Sequence, residues 1–212
     1  MTIGVKANAD GSAAIQVGGS DAITITSGLN TTLVGTLNSG AITSTGVITS
    51  TTGTLYPLVS GTAWTYTSGT PASVDFTGIP STVKRITVMI SGLSYAAAGV
   101  GGVQIGSGSL TTTGYTSGTT AQVGGPAINV GTQTTNFGIL NTSAAGSTVT
   151  ATYVLHNITG NTWVFSEVGF RFTDNTSIIG SGFIALGGVL DRLSVVATTS
   201  TFDAGTINIM WE

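Results

Sequence analysis

Few side chains in this sequence could carry acid–base chemistry: there is one histidine, His156, and there are eight carboxylates. His156 lies in the stretch Tyr-Val-Leu-His-Asn near the end of a predicted strand. A serine nucleophile needs such a base beside it, commonly with the serine in a Gly-x-Ser-x-Gly turn between a strand and a helix. The sequence offers neither that turn nor a helix on which to build it. We therefore predict that His156 is a surface or strand-end residue.

Glycan cleavage is the other chemistry to consider, because it uses two carboxylates on either side of a sugar. Glu167, inside the predicted strand Thr162–Phe172, is the best candidate, since a carboxyl group among aromatic side chains can have a raised pKa. An ion pair of Glu167 with Arg171 or Arg192 is the better explanation for its position. Asp174, like several other carboxylates, lies at a predicted turn. The sequence predicts that the protein is not an enzyme.

The residue pattern gives no support for bound ions, cofactors or nucleic acids. Of the five basic residues only Lys84 and Arg85 are adjacent, which is too little for a nucleic-acid footprint. The glycine-rich stretch Gly99–Gly108 lacks the Gly-Lys-Ser/Thr of a phosphate loop. Cysteines are absent, and so are calcium-binding loops. We predict no cofactor, no metal, no nucleic-acid partner and, without an apolar run of about 18 residues, no membrane insertion.

Binding by shape remains, and two tyrosines are the candidates for it. Tyr95 and Tyr115 lie in or beside the glycine-rich connections Ser94–Gly102 and Thr111–Gly118. Aromatic rings on loops stack well on sugars and supply contact area at a low entropic cost. Tyr95 and Tyr115 are therefore candidate receptor-loop residues. The alternative, which we favour, is that each ring covers one end of the core.

The composition points to an assembly. Charged residues make up 6% of the chain, against about 25% in typical globular proteins. Threonine, serine and glycine take their place, and the net charge is only −3. The hydrophobic fraction is ordinary, so the chain is not expected to be disordered. A neutral, hydroxyl-rich surface is suited to close contact with copies of itself.

Residues 1–27 are predicted to form a small β segment. The stretches Thr2–Asn8, Ala13–Val17 and Asp21–Thr26 alternate between apolar and polar residues, and Asp10-Gly11 is a strong turn signal. A meander of this size is marginal in water on its own. We therefore expect this segment to need a partner, either the same segment of neighbouring chains or a docking surface.

Residues 28–56 contain a repeat that predicts a neck. The unit Gly-x-Ile-Thr-Ser-Thr occurs twice in succession within Ser39–Leu55. One unit buries little, but units from several chains can stack around an axis, with Ile42, Ile48 and Leu55 facing it. A flexible Gly/Ser/Thr linker is the alternative. At 3.3 Å per residue, Ser39–Leu55 spans at most about 55 Å, which makes a neck rather than a long fibre.

Residues 57–212 are predicted to form an all-β domain. Arg85–Leu93 alternates strictly, with Ile86, Val88 and Ile90 on one face, and no long window has helical periodicity. Many short strands punctuated by Gly, Asn and Ser indicate a two-sheet antiparallel β-sandwich. A jelly roll is the leading topology, and a Greek-key order like that of immunoglobulins is the alternative. The predicted strands are Ala63–Thr67, Ser73–Phe76, Arg85–Leu93, Val103–Ile105, Ala127–Val130, Asn136–Ile139, Thr148–Asn157, Thr162–Phe172, Ser181–Leu186, Asp191–Ala197 and Gly205–Trp211.

Two parts of the chain resemble proteins of tailed bacteriophages. Asp10–Ile25 (DGSAAIQVGGSDAITI) resembles the N-terminal module of many tail-fibre-like virion proteins. Val74–Val88 (VDFTGIPSTVKRITV), Leu190–Leu193 (LDRL) and Thr201–Trp211 (TFDAGTINIMW) resemble a β-rich domain found at the C-terminal ends of such proteins. Within this resemblance the charged residues look like fold determinants, with Arg85 pairing with Asp191, or Arg192 with Asp203. The resemblance carries no catalytic motif.

This resemblance implies a homotrimeric virion fibre or spike. Residues 1–27 would attach it to other phage structural proteins of the tail, neck or capsid. Ile42, Ile48 and Leu55 would form the trimer neck, and the knob, residues 57–212, would contact a host-surface glycan or receptor. The expected location is the virion, made in the host cytoplasm and extracellular after release. Because the neck is short, a capsid decoration or head-fibre protein, bound to the capsid through residues 1–27, is the alternative.

Overall fold

The computed structural model describes most of the chain beyond residue 57 and several strands before it. The described residues are 3–7, 9, 13–17, 20–25, 31–33, 48–50, 53–55, 58–123, 127–142 and 144–212. The chain divides into two compact units, Met1–Leu55 and Tyr56–Glu212. All the regular structure in these residues is β, and neighbouring strands pair antiparallel. No helix in this part of the chain has the length and apolar character needed to cross a membrane.

The first unit contains a four-stranded meander and a separate hairpin. The meander runs in the order β1 (Ile3–Ala7), β2 (Ala13–Val17), β3 (Ser20–Ile25) and β4 (Thr31–Leu33). The hairpin pairs β5 (Ile48–Ser50) with β6 (Gly53–Leu55). The sequence predicts two or three strands before residue 27, and the fourth comes from the segment predicted as neck. The turn predicted at Asp10-Gly11 lies outside the described residues.

The second unit contains two antiparallel sheets that share one hydrophobic core. The large sheet has nine strands in the order β14 (Ala127–Gln133), β13 (Thr116–Val123), β18 (Thr176–Ala185), β17 (Thr162–Arg171), β16 (Val149–Thr159), β10 (Arg85–Tyr95) and β20 (Phe202–Trp211), and then the short strands β7 (Val59–Ser60) and β8 (Trp64–Thr65), which both pair with β20. The small sheet has five strands in the order β12 (Ser109–Leu110), β11 (Gly99–Ser107), β19 (Arg192–Ala197) and β9 (Ser73–Thr77), with β15 (Phe137–Thr142) also on β11. The fold is β-sandwich-like.

Period-two alternation positions the core. In β10, Ile86, Val88 and Ile90 are buried, as the sequence predicts, because successive strand residues point to opposite faces. The same alternation buries Tyr153 and Leu155 in β16. Aromatic rings fill the centre with centroids 4.5–6.1 Å apart, mostly in edge and tilted contacts that suit their quadrupoles.

One predicted connection, Ser94–Gly102, is largely strand, and a strand that was not predicted, β13, begins inside the other, Thr111–Gly118. β10 continues to Tyr95 and β11 begins at Gly99, within the predicted connection Ser94–Gly102. The glycines of β11 are needed for close packing, since a Cβ at Gly101 would lie 2.1 Å from the carbonyl oxygen of Val196. β13 was not predicted because its sequence, TSGTTAQV, contains little apolar surface. It forms because both of its edges are paired, with β14 and β18.

Candidate functional site

Glu167 is a core residue and does not face a cleft. It lies on the inner face of β17 with no exposed surface, and the Tyr153 hydroxyl donates a hydrogen bond of 2.7 Å to its Oε1. Burial, followed by the charge of Glu167, raises the pKa of Tyr153 well above its ordinary value. His156 lies on the exposed outer face of the neighbouring strand β16. Because Glu167 and His156 are on opposite faces of one sheet, they cannot act together on one substrate.

Arg85 and Arg192 form different ion pairs from those predicted. Arg171 Nη2 lies 2.6 Å from Asp174 Oδ2, and Arg192 Nε lies 2.8 Å from Asp191 Oδ1. Arg85 binds Glu212 at 2.6 Å, rather than Asp191 as predicted. Two of these pairs join residues close in sequence, and the pairing of β10 with β20 brings Arg85 beside Glu212.

Asp203, predicted to pair with Arg192, takes a different partner. Its carboxylate accepts a hydrogen bond from the hydroxyl of Ser94. Ser94 lies on β10 beside Asp203 on β20, and the two strands pair with a register shift at this point. The contact therefore joins two strands within the large sheet, and Asp203 acts as a structural residue there.

Tyr95 and Tyr115 are buried, which corrects their assignment as receptor-loop residues. Their exposed fractions are 0% and 2%. Tyr95 ends β10 and packs on Phe202, with ring centroids 5.3 Å apart. The Tyr115 hydroxyl donates to the carbonyl oxygen of Thr111 (2.9 Å) and accepts a hydrogen bond from the Ile105 amide (2.9 Å), and burial raises the pKa of Tyr115 to about 12. Neither ring presents a face to a ligand.

The predicted neck residues are described only in part. Ile48 and Leu55 are directly opposite each other in the β5–β6 hairpin. Ile42 lies outside the described residues. An axis shared by three chains at these positions remains a prediction.

The outer face of the large sheet carries large exposed apolar side chains. We call Val130, Val168, Ile179 and Phe183 the outer apolar face; they are 75%, 65%, 63% and 48% exposed. Ile179 lies directly opposite Val168 on one side and Thr120 on the other, and Val130 lies opposite Thr120. Three of the four therefore form one row across neighbouring strands. Beside the row is a shallow groove of about 440 Å³.

The outer apolar face also lacks acidic and basic charges. The strands β13, β14, β16, β17 and β18 contain only two residues with a formal charge, Glu167 and Arg171, and both are buried. His156 is the one titratable side chain on the outside of these strands. Exposed sheet faces in soluble proteins usually alternate apolar-in with polar or charged-out. An apolar, neutral outer face is typical of a surface that is covered in an assembly.

A second surface feature is an open cleft at one edge of the sandwich. We call it the edge cleft; its volume is about 550 Å³, and it is lined by Ser60–Trp64, Ser73–Thr77 and Trp211. One wall comes from the short edge strands β7 and β8 of the large sheet, and the other from β9, the edge strand of the small sheet. The indole rings of Trp64 and Trp211 are partly buried against the core. Asp75 is exposed and is the one charged residue among these lining residues.

Sequence reasoning missed the edge cleft. Trp64 and Trp211 lie nearly 150 positions apart along the chain, and both line the cleft only because β20 pairs with β8 at Thr206–Ile207 and with β7 at Met210–Trp211. The concentration of all three tryptophans after residue 57 was a signal, but two of these rings line the cleft while Trp163 is buried in the core. Nothing in the spacing separates the two roles.

The comparisons with known proteins leave the family open. No family model, curated protein or solved structure matches this chain. Within the part of the chain that the structure describes, no group of three or more His, Asp and Glu side chains could hold a metal ion. The function is therefore argued from the two surfaces, the outer apolar face and the edge cleft.

Proposed function

We propose that this protein is a bacteriophage virion structural protein without enzymatic activity, a homotrimeric fibre or spike attached through its N-terminal segment and exposing a C-terminal knob that adheres to the host surface. The observation that carries the proposal is the outer apolar face. A knob that worked as a free monomer would leave Val168 and Ile179 more than half exposed, side by side, on a surface without charges.

The outer apolar face supports contact with identical copies. A surface without charge can meet itself without like-charge repulsion, whereas a charged foreign partner would lose hydration and gain no ion pair. Fully burying a Val, Ile or Phe side chain stabilises by about 1.5–3 kcal/mol. Four such residues on each subunit, Val130, Val168, Ile179 and Phe183, offset part of the cost of association, which is itself several kcal/mol.

Three linked knobs would adhere by multivalency. Once one knob of a trimer is bound, the others act at a high effective concentration, so weak single contacts give useful avidity. Residues 28–56 would hold the chains at a common axis, and residues 1–27 would attach the trimer to the particle. The jelly-roll topology belongs to the same proposal. It is supported by the path of the chain, which passes from β9 to β10, to β11 and to β13, crossing between the two sheets each time.

A capsid decoration or head-fibre protein is the second candidate, favoured by the short predicted neck. The two differ in where the protein lies on the particle. Immunogold labelling of intact virions with antibody against the knob tests both: label at the tail supports the fibre, and label over the head supports decoration. Particles that carry no label, from a lysate in which the protein is made, would contradict the virion assignment.

A further inference from the structure

The edge cleft has the chemical composition of a ligand site. Its lining combines two indole rings, Trp64 and Trp211, with the hydroxyls of Ser60, Thr62, Ser73 and Thr77 and the carboxylate of Asp75. Its volume of about 550 Å³ lies within the range of about 300–1,000 Å³ usual for small-ligand sites. The Nε1 of Trp211 is buried, with no hydrogen-bond partner among the described residues.

The backbone of β9 adds donors and acceptors to the same wall. The Ala197 amide donates a 2.8 Å hydrogen bond to the Ala72 carbonyl. In the register of the β9–β19 pair, this bond determines which residues of β9 hydrogen-bond to β19 and which do not. In an antiparallel pair the next residues alternate, so Val74 and Phe76 bond to β19 while the amides and carbonyls at Ser73, Asp75 and Thr77 point to the opposite edge. That edge pairs with no other strand of the described residues, and it faces the cleft.

A hydrogen bond from the neighbouring strand β19 holds the Asp75 carboxylate in place. The Ser194 hydroxyl donates a 2.5 Å hydrogen bond to Asp75 Oδ1, and Ser194 itself is fully buried. One carboxylate oxygen is thereby fixed. The structure gives no hydrogen bond from the residues it describes to the other oxygen, Asp75 Oδ2. Arg192 forms its ion pair with Asp191; the hydrogen bond to Asp191 and, to a smaller extent, the charge of Asp75 raise the pKa of Arg192.

We infer that the edge cleft binds a neutral saccharide. Partly buried indole rings pack on the apolar faces of a pyranose ring. An ionised carboxylate accepts strong, charge-assisted hydrogen bonds from sugar hydroxyls, and the free edge of β9 offers further partners. A cleft whose only charge is a carboxylate disfavours acidic sugars. The inference names the ligand of the knob and rests on the proposed adhesive function.

An extended peptide adding to the edge of β9 is the competing occupant, and the sequence opposes it. The strand has five residues, with the charged Asp75 at its centre and Pro71 and Pro80 on either side. Short length, an exposed charge and flanking prolines are the features by which proteins block strand addition at an edge. The two indole rings have no role in such pairing. A saccharide would contact the indole rings, the Asp75 carboxylate and the free edge of β9.

Binding is tested with the full chain on a glycan array that carries neutral hexose and N-acetylhexosamine oligomers beside sialylated and uronic-acid oligomers. The expected result is binding to one or more neutral oligomers and none to the acidic ones. Titration of the best neutral oligomer, followed by tryptophan fluorescence, should give an affinity that Asp75→Asn lowers about tenfold or more, since a charge-assisted hydrogen bond is lost. Thr62→Tyr, an exposed lining position, should block the cleft with the same loss.

Asp203→Asn is the matched control, because Asp203 also accepts a hydrogen bond from a serine hydroxyl but does not line the cleft. It should bind like the unaltered protein, and thermal unfolding of each variant checks that the knob is folded at the assay temperature. Binding of no glycan, binding of acidic oligomers only, or equal affinity in Asp75→Asn and Asp203→Asn would overturn the inference. A β-forming peptide that perturbs the amides of Ser73–Thr77 when no sugar does would also overturn it. A single chain forms the whole cleft, so a monomeric protein would contradict the trimer without affecting this result.

Discussion

Several polar side chains in the knob are buried in small groups in which they hydrogen-bond to one another. The hydroxyl of Tyr153 binds Glu167, and Thr176 and Arg171 both bind Asp174. Burying a charged or polar group costs free energy unless its hydrogen bonds are made inside the protein. In a chain with so few charges these groups add specificity to an otherwise apolar core. Their substitution should affect stability more than any binding function.

Asp174 supports the buried Arg171. Asp174 accepts hydrogen bonds of 2.7 Å and 2.6 Å from Arg171, and these bonds hold the pKa of Asp174 below its usual value of 3.8. Asp174→Asn should lower the free energy of unfolding at pH 7 by about 1–2 kcal/mol, measured by urea denaturation. A lowered folded-state pKa means that this stabilisation is present above about pH 4 and is lost as the pH falls further. The difference in stability between the variant and the unaltered chain should therefore narrow as the pH falls from 4 towards 2.

Asp191→Asn is the control for that experiment, because Asp191 pairs with Arg192 on the exposed surface. It should change the free energy of unfolding much less than Asp174→Asn does. Equal losses in both variants, or a difference that persists unchanged at pH 2, would contradict the role assigned to Asp174.

Buried tyrosines should make the knob sensitive to alkali. Burial raises the pKa of Tyr115 from 10.0 to about 12, and it also raises the pKa values of Tyr95 and Tyr153. Between pH 10 and 12 the unfolded chain loses the Tyr115 proton while the folded chain keeps it, so stability falls as the pH rises, by about 1.4 kcal/mol per pH unit for this group. Urea midpoints measured from pH 9 to 12 should fall steadily. Tyr115→Phe should give a shallower slope, and an identical slope would contradict the burial of its hydroxyl.

At the scale of the strands, the alternation of apolar and polar residues predicted the strands whose burial follows that period. The strands β10 and β16 follow the apolar–polar period closely, and they lie at the centre of the large sheet. β13 and the glycine-rich part of β11 could not be predicted, because their place depends on partners and on close backbone contacts. The edge cleft escaped prediction for the same reason. Its tryptophans come from strands that meet only in the folded sheet.

The outer apolar face gives a direct prediction for assembly. Ile179 is 63% exposed in the middle of its row, so Ile179→Lys leaves the fold intact but places a charge in the proposed interface. We expect the variant to weaken self-association by at least about 2 kcal/mol, the usual effect of a disruptive change at an interface centre, measured by sedimentation over a range of concentrations.

Val189→Lys is the matched control for Ile179→Lys. Val189 is similarly exposed, at 53%, but it lies between β18 and β19 and not on the outer apolar face. It should associate like the unaltered chain. Equal weakening by the two lysines would indicate a general effect of charge, and no weakening by Ile179→Lys would remove this face from the interface.

The whole molecule joins a small β unit, Met1–Leu55, to a larger sandwich-like unit, Tyr56–Glu212. The all-β class and the two-sheet character of the larger unit could be predicted from strand length and punctuation. The outer apolar face could not, because an apolar outward residue in a strand looks the same in the sequence as an inward one until the register is known. Val168 and Ile179 acquired their meaning only when β17 and β18 were placed in register.

The central claim is that three chains associate, and sedimentation equilibrium of the full-length protein tests it most directly. With a chain mass of 21.1 kDa, the account predicts one species of about three times that mass at micromolar concentration. A monomer across the whole concentration range would contradict the trimeric spike and leave the outer apolar face without its proposed partner.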